Sequence, residues 1–162
     1  RRCRGGVSLR DDVKRSAREI AIAALARREH SRYELEQKLA GRELEPVEIA
    51  TALDALAQAG YQDDQRFAEA YVRYRGRSGF GPRRVAQELQ QRGVDQALAR
   101  QALTTQELDW FELAGDVQYK KFRGAPTSFA ERARQTRFLQ YRGFDGEHIR
   151  YALENAAGDE NN

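Results

Sequence analysis

The sequence predicts an all-α protein made of tandem three-helix repeats, stacked in series into an elongated, curved, solenoid-like molecule. Three observations predict it. Apolar residues recur at spacings of three and four, and no alternating run of valine, isoleucine and threonine marks a strand. Capping residues, glycines and prolines punctuate the apolar runs at helix-length intervals. A set of positions also returns every fifty residues: Leu39, Leu89 and Leu139; Leu44, Val94 and Phe144; Leu53, Leu103 and Leu153; Arg42, Arg92 and Arg142. Of 162 residues, 40% are hydrophobic and 33% charged, so each helix is expected to be half-buried, with no large central core.

Residues 1–15 read as a mobile basic arm, with Arg1, Arg2, Arg4 and Arg10 among small residues. The first unit spans residues 16–61. Its first helix runs from Ser16 to about Glu29 on Ala17, Ile20, Ala21, Ala24 and Leu25. Ser31 caps the second helix, and Glu34 completes a capping box. That helix carries Tyr33, Leu35 and Leu39 and ends at Gly41. Pro46 heads the third, whose stripe is Ile49, Ala52, Leu53, Leu56 and Ala57, and Gly60 stops it.

The second unit spans residues 62–105. Asp63 and Asp64 offer short carboxylates to the free N–H groups of a first turn. The helix sets Phe67, Ala70, Tyr71 and Tyr74 on one side and Arg66, Arg73, Arg75 and Arg77 around the rest. Gly79-Phe80-Gly81-Pro82 breaks it, and the next helix starts at Pro82, where a missing N–H costs nothing. It carries Val85, Ala86 and Leu89 and stops at Gly93; Asp95 marks the third start. The third unit spans residues 106–155. Its first helix holds Leu108, Phe111, Leu113, Ala114 and Val117 and runs into Lys120, Lys121 and Arg123. Its second, after Pro126, carries Phe129, Ala133, Phe138 and Leu139, with Arg132, Arg134, Arg137 and Arg142. Its third includes Ile149 and Leu153, and residues 156–162 form a flexible tail. Hinges are expected near Gln62 and Thr104-Thr105.

The net charge is +3 and the isoelectric point about 9.2. The first unit is mixed to acidic, while the second and third are basic on their first and second helices. Arginine binds phosphate or carboxylate through two parallel hydrogen bonds. A basic stretch over consecutive repeats can form one stripe on the inner face of a solenoid, which would follow phosphates or a filament groove. Tyr71, Tyr74, Tyr119 and Tyr141 lie among these cations. They could stack on bases, but their helical spacing favours core positions with a wet hydroxyl.

Catalytic chemistry finds no support. His30 and His148 lie far apart and belong to no metal-ligand pattern, and His30 at a helix C-terminus suits a cation. Cys3 is alone, which excludes an internal disulfide framework, fits a reducing compartment and leaves a nucleophile without a base. Gly76 to Gly81 lacks the Lys-Ser/Thr ending and preceding strand of a phosphate loop. No metal or cofactor is expected. No apolar run approaches the ~20 residues that cross a bilayer, and the Arg-rich start lacks a signal peptide's apolar core, so a cytoplasmic protein is expected. The absence of methionine implies that the N-terminus shown is not the translated one.

The runs GYQDDQRFAEAYVRYR (60–75) and GPRRVAQELQQRGV (81–94) resemble the signature of the RecX family of bacterial recombinase regulators. FLQYRGFDGEHI (138–149) and SRYELEQKLAGR (31–42) are similar to its other units, and the resemblance covers Ser16 to Leu153. Two positions depart from it: Gln62, where the family carries an aliphatic residue, and Gln135, polar where Leu35 and Val85 stand. The resemblance implies a non-enzymatic modulator without a cofactor. It would lie in the groove of the RecA–DNA filament and inhibit strand exchange, ATP hydrolysis and coprotease activity, modulating recombinational repair and the SOS response. It assigns Asp63, Asp64, Phe67, Tyr71, Gly93 and Gly143 to architecture. Candidate contacts to RecA or DNA are Arg73, Arg75, Arg77, Arg83, Arg84, Lys120, Lys121, Arg132, Arg134, Arg137 and Arg142. The alternative is a helical module acting directly on single- or double-stranded DNA, with the helices around 79–82 as a helix-turn-helix; the loop is longer than the usual three to four residues, which ranks it lower. A monomer is expected, with exchange of a terminal repeat between two chains as the alternative.

Overall fold

The structure, a computed structural model, describes residues 15–156. Apart from Arg15 and Ala156, the arm and tail expected at the two ends lie outside the described residues. Among the described residues there are nine helices and no strand: α1 (Ala17–Leu25), α2 (Arg32–Ala40), α3 (Pro46–Gln58), α4 (Asp64–Arg77), α5 (Pro82–Gln91), α6 (Gln96–Thr105), α7 (Trp110–Phe122), α8 (Phe129–Tyr141) and α9 (Gly146–Asn155).

Each triplet closes on its own core. Ile20, Leu35, Leu39, Leu53 and Leu56 fill the first; Phe67, Val72, Val85, Leu89 and Val94 the second; Val117, Leu139, Phe144, Ile149 and Leu153 the third. Trp110 packs against the second and third cores alike.

The triplets are joined through their middle helices. Ser31, N-cap of α2, donates through Oγ to the Arg92 carbonyl at the end of α5 over 2.7 Å. Gly81, N-cap of α5, donates through its amide to the Arg142 carbonyl at the end of α8 over 2.8 Å, and Arg83 N donates to Gly143 O over 3.0 Å. Three middle helices therefore follow one another head to tail. The Ser31 hydroxyl at one joint and the terminal N–H groups of α5 at the other meet terminal carbonyls of the neighbouring middle helix, so carbonyls with no partner inside a helix find one across the joint. Gly93 and Gly143, at φ 73° and 95°, turn the chain after α5 and α8.

Several elements differ from the sequence-based expectation. α1 ends at Leu25 rather than near Glu29; the Arg28 carbonyl instead faces the ring Nδ1 of His30 at 3.0 Å. His30 is 7% exposed. Burial lowers its pKa, outweighing its hydrogen bond to the Arg28 carbonyl, so it serves as a neutral core ring and not as a cation on a helix end. Gln62 is not a hinge: it is buried, and its Nε2 donates to Asp64 Oδ1 (2.9 Å) and to His30 O (3.4 Å). The two aspartates divide their work. Asp63 caps α4, accepting from Gln65 N and Arg66 N, whereas Asp64 Oδ1 accepts from Arg32 N at 2.9 Å and so caps α2 of the preceding unit. α4 buries Phe67, Ala68, Val72 and Gly76 and leaves Tyr74 65% exposed. Its apolar face is turned because α5, α6 and α7 all pack on it. Finally, α8 begins after Pro126 as the sequence expects, one turn earlier than the fifty-residue repeat alone would place it. Ser128 is its N-cap, and Phe129 in the added turn is 90% exposed rather than in the core.

Candidate functional site

The basic candidates fall into two groups. The first is held by intramolecular partners and centres on Glu88 of α5. Arg75 of α4 reaches it through two nearly parallel hydrogen bonds, Nε to Oε2 at 2.8 Å and Nη2 to Oε1 at 2.7 Å. Tyr71 OH donates to Oε2 at 2.7 Å, and Arg84 Nε to Oε1 at 3.3 Å. The Arg75 and Glu88 side chains are only 19% and 14% exposed. Burial pushes the Glu88 carboxyl up, but hydrogen bonds from Arg75 and Tyr71, with the Arg75 charge, outweigh it and leave the pKa below the usual value. Arg75 also lies 3.8 Å above the centroid of Phe80. Arg75, a candidate contact from the sequence, is therefore held by internal partners. Arg73 is likewise engaged, donating from Nη1 to Gln106 Oε1 at 2.7 Å across the joint between units two and three. Arg84 donates to the Tyr141 carbonyl at 3.4 Å, and Arg83 pairs with Asp145 at 3.0 Å while staying exposed. Sequence inspection counts such guanidinium groups but does not reveal the carboxylate across the fold; the Arg84–Glu88 spacing of one helical turn was the one available signal.

The second group has no ion-pair partners among the described residues. Arg77, Lys120, Lys121, Arg132, Arg134 and Arg137 are exposed, and none belongs to an ion pair among the described residues. Arg142 is half-buried and also unpaired, its guanidinium over Phe80 (4.9 Å) and Phe138 (5.2 Å). Arg77, Lys120, Lys121 and Arg142 line one cleft of about 310 Å³ between α4, α7 and α8. Arg132, Arg134 and Arg137 stand on α8 outside it. Three of the four tyrosines expected in the core are on the surface: Tyr74, Tyr119 and Tyr141 are 65%, 53% and 75% exposed. Only Tyr71 is half-buried, its hydroxyl on Glu88.

The connection between α4 and α5 is four residues, Ser78 to Gly81, within the helix-turn-helix range rather than longer than it. The N-terminus of α5 nevertheless abuts Arg142 and Gly143 and is covered by the third unit. A recognition helix presents that end to base edges, so α5 does not suit the role. Among the described residues no group of three or more His, Cys, Asp or Glu side chains could hold a metal ion, and no helix is long and apolar enough to cross a membrane.

Fold and surface together define a helical-repeat protein with unpaired cations spread over two consecutive units. The chain belongs to the RecX family: the models of its first, second and third three-helix domains match residues 17–56, 63–103 and 107–153. It is 43% identical over 150 residues to the Regulatory protein RecX of Pseudomonas savastanoi pv. phaseolicola, covering 92% of this chain and 97% of that protein. It is 45% identical over 146 residues to the Regulatory protein RecX of Halorhodospira halophila, covering 90% and 89%. Its fold matches the crystal structure of RecX from Lactobacillus salivarius with a TM-score of 0.73 at 20% identity, over 86% of this chain and 94% of that one.

Proposed function

We propose that this chain is a non-enzymatic regulator of RecA that lies in the groove of the RecA–DNA filament, in the cytoplasm and as a monomer, and inhibits strand exchange, ATP hydrolysis and coprotease activity. Membership of the RecX family supports the reading. The observation that carries it is the set of six exposed, unpaired cations on units two and three. A nucleoprotein filament offers phosphates and acidic side chains along one path, and cations without internal partners lose the least on reaching them. Reversal of Arg75 would be a poor probe, because it breaks the Glu88 network.

The reading is tested by adding the chain to RecA on single-stranded DNA and following ATP hydrolysis and strand exchange over a range of salt. The wild-type chain slows both, less so as salt rises. The triple variant Arg132→Glu, Arg134→Glu, Arg137→Glu keeps its helicity and loses most of the effect. Undiminished inhibition by that variant, insensitive to salt, would refute the charge-based mechanism; no slowing by the wild type would refute the function. Tight sequence-specific duplex binding without RecA would favour a plain DNA-binding module instead.

A further inference from the structure

At the joint between the second and third units, the C-terminal end of α4, one face of α7 and the end of α8 enclose the cleft of about 310 Å³. Arg77, Lys120, Lys121 and Arg142 line it, against a single carboxylate, Asp116. Leu113, Val117 and Phe138 form an apolar wall.

A simpler account is that these cations only offset helix dipoles, since Arg77 sits in the last turn of α4 and Lys120 and Lys121 in that of α7. Magnitudes argue otherwise. A free helix C-terminus carries about −0.5 of a charge, so α4 and α7 supply about −1 together. Asp116 supplies another. The end of α8 adds little, because its Arg142 and Gly143 carbonyls accept hydrogen bonds from α5. Four cations thus leave a surplus of about +2 in a half-enclosed space. Two of the four are also held in place: Lys121 and Arg142 lie 5.6 and 5.2 Å from the centroid of Phe138, and Arg142 lies 4.9 Å from that of Phe80. Ring contacts position cations without neutralising them, and cations already ordered lose less entropy when an anion arrives.

We propose that this cleft is a phosphate seat that takes a nucleoside polyphosphate. Its phosphates rest on Arg77, Lys120, Lys121 and Arg142, and its base or sugar on Leu113, Val117 and Phe138. The same phosphate chemistry is offered by a polynucleotide backbone. The volume falls at the lower end of small-molecule sites, and the apolar wall favours the free nucleotide. A ligand there would bridge units two and three and stiffen the joint. Binding in this cleft involves the chain alone and needs no partner protein.

Isothermal titration calorimetry of the full chain at low salt tests it with three probes: pyrophosphate, ATP and a short oligothymidylate. ATP is expected to bind one to one and more tightly than pyrophosphate. The double variant Lys120→Gln, Lys121→Gln should weaken ATP at least tenfold, and Asp116→Asn should tighten it severalfold; circular dichroism checks that both variants keep their helicity. A pure dipole-compensation role predicts lowered stability in the lysine variant and no ATP binding in any form, and that result overturns the seat. Binding indifferent to both variants does so too. Equal affinity for pyrophosphate and ATP removes the nucleoside part, and lysine-dependent binding of the oligonucleotide alone reassigns the seat to a polynucleotide.

Discussion

The amide of Gly81 donates a hydrogen bond to the carbonyl of Arg142, 2.8 Å away, and so joins the start of α5 to the end of α8. One unit earlier, Ser31 Oγ reaches the carbonyl of Arg92 across the same 61-residue separation. The first joint uses a side chain where the second uses the backbone. The second joint depends on the missing Cβ of Gly81: a methyl group there would run into the backbone of Gly143 and Phe144.

This contact makes Gly81 sensitive for a steric reason alone, since its φ of −83° suits any residue. Gly81→Ala should destabilise the chain by about 2–3 kcal/mol, because the neighbours it meets are backbone atoms that cannot swing aside. Gly115, inside α7 with nothing within 4 Å of its added Cβ, is the control. Gly115→Ala should stabilise by roughly 0.5–1 kcal/mol through helix propensity. Denaturant unfolding of the two variants reads the difference, and equal effects would mean that the joint is not tight.

Glu88 links α4 to α5, and its carboxyl is held below the ordinary range by Arg75 and Tyr71 despite its burial. A lowered folded-state pKa means stability that is present above the unfolded value, near 4.5, and lost as pH falls through the folded one. Glu88→Gln should cost about 2 kcal/mol at neutral pH by leaving Arg75 without its charged partner. It should also flatten the fall in stability below pH about 4.5. Thermal unfolding from pH 3 to 7 checks both; a variant whose acid profile overlays the wild type would rule out Glu88 as a contributor.

Tyr71 titrates from the other direction. Burial, followed by its hydrogen bond to Glu88, raises its pKa to about 12. Folding favours the neutral phenol, so this stability is complete below the unfolded value near 10 and is lost as pH rises toward 12. In ultraviolet titration of the seven tyrosines, one should ionise late. Tyr71→Phe should abolish that late step and leave the others in place, and its survival would assign it elsewhere.

The repeat was legible because each unit reuses the same apolar positions: Leu39, Leu89 and Leu139 are all fully buried. The joints were not, because their acceptors are backbone carbonyls and the second also needs the space beside Gly81, which no side-chain pattern reports. The cations were legible as charge but not as partners, since Arg75 and Glu88 meet only once α4 and α5 fold together. The early start of α8 did leave a trace: Ser128 followed by Glu131 is a capping pattern, and Ser128 Oγ accepts from Glu131 N at 3.1 Å.

Gln135 stands where Leu35 and Val85 fill the other cores, and the structure supplies its reason in Gln118. Both are buried; Gln118 Nε2 donates to Gln135 Oε1 at 3.0 Å and to the Gly124 carbonyl at 2.7 Å. The pair ties α7 to α8 and anchors the loop between them. Gln135→Leu should cost about 1–2 kcal/mol, because it removes the acceptor for a buried amide. Gln118→Leu should cost more, since it also removes the shorter of the two hydrogen bonds to the Gly124 carbonyl, 2.7 Å against 3.5 Å from Gln135 Nε2. The double variant should be less destabilised than the sum of the two, because neither amide is then left half-satisfied. A double-mutant cycle by chemical denaturation measures that coupling, expected at about 1 kcal/mol. Simple additivity would mean that the two amides do not act as a pair.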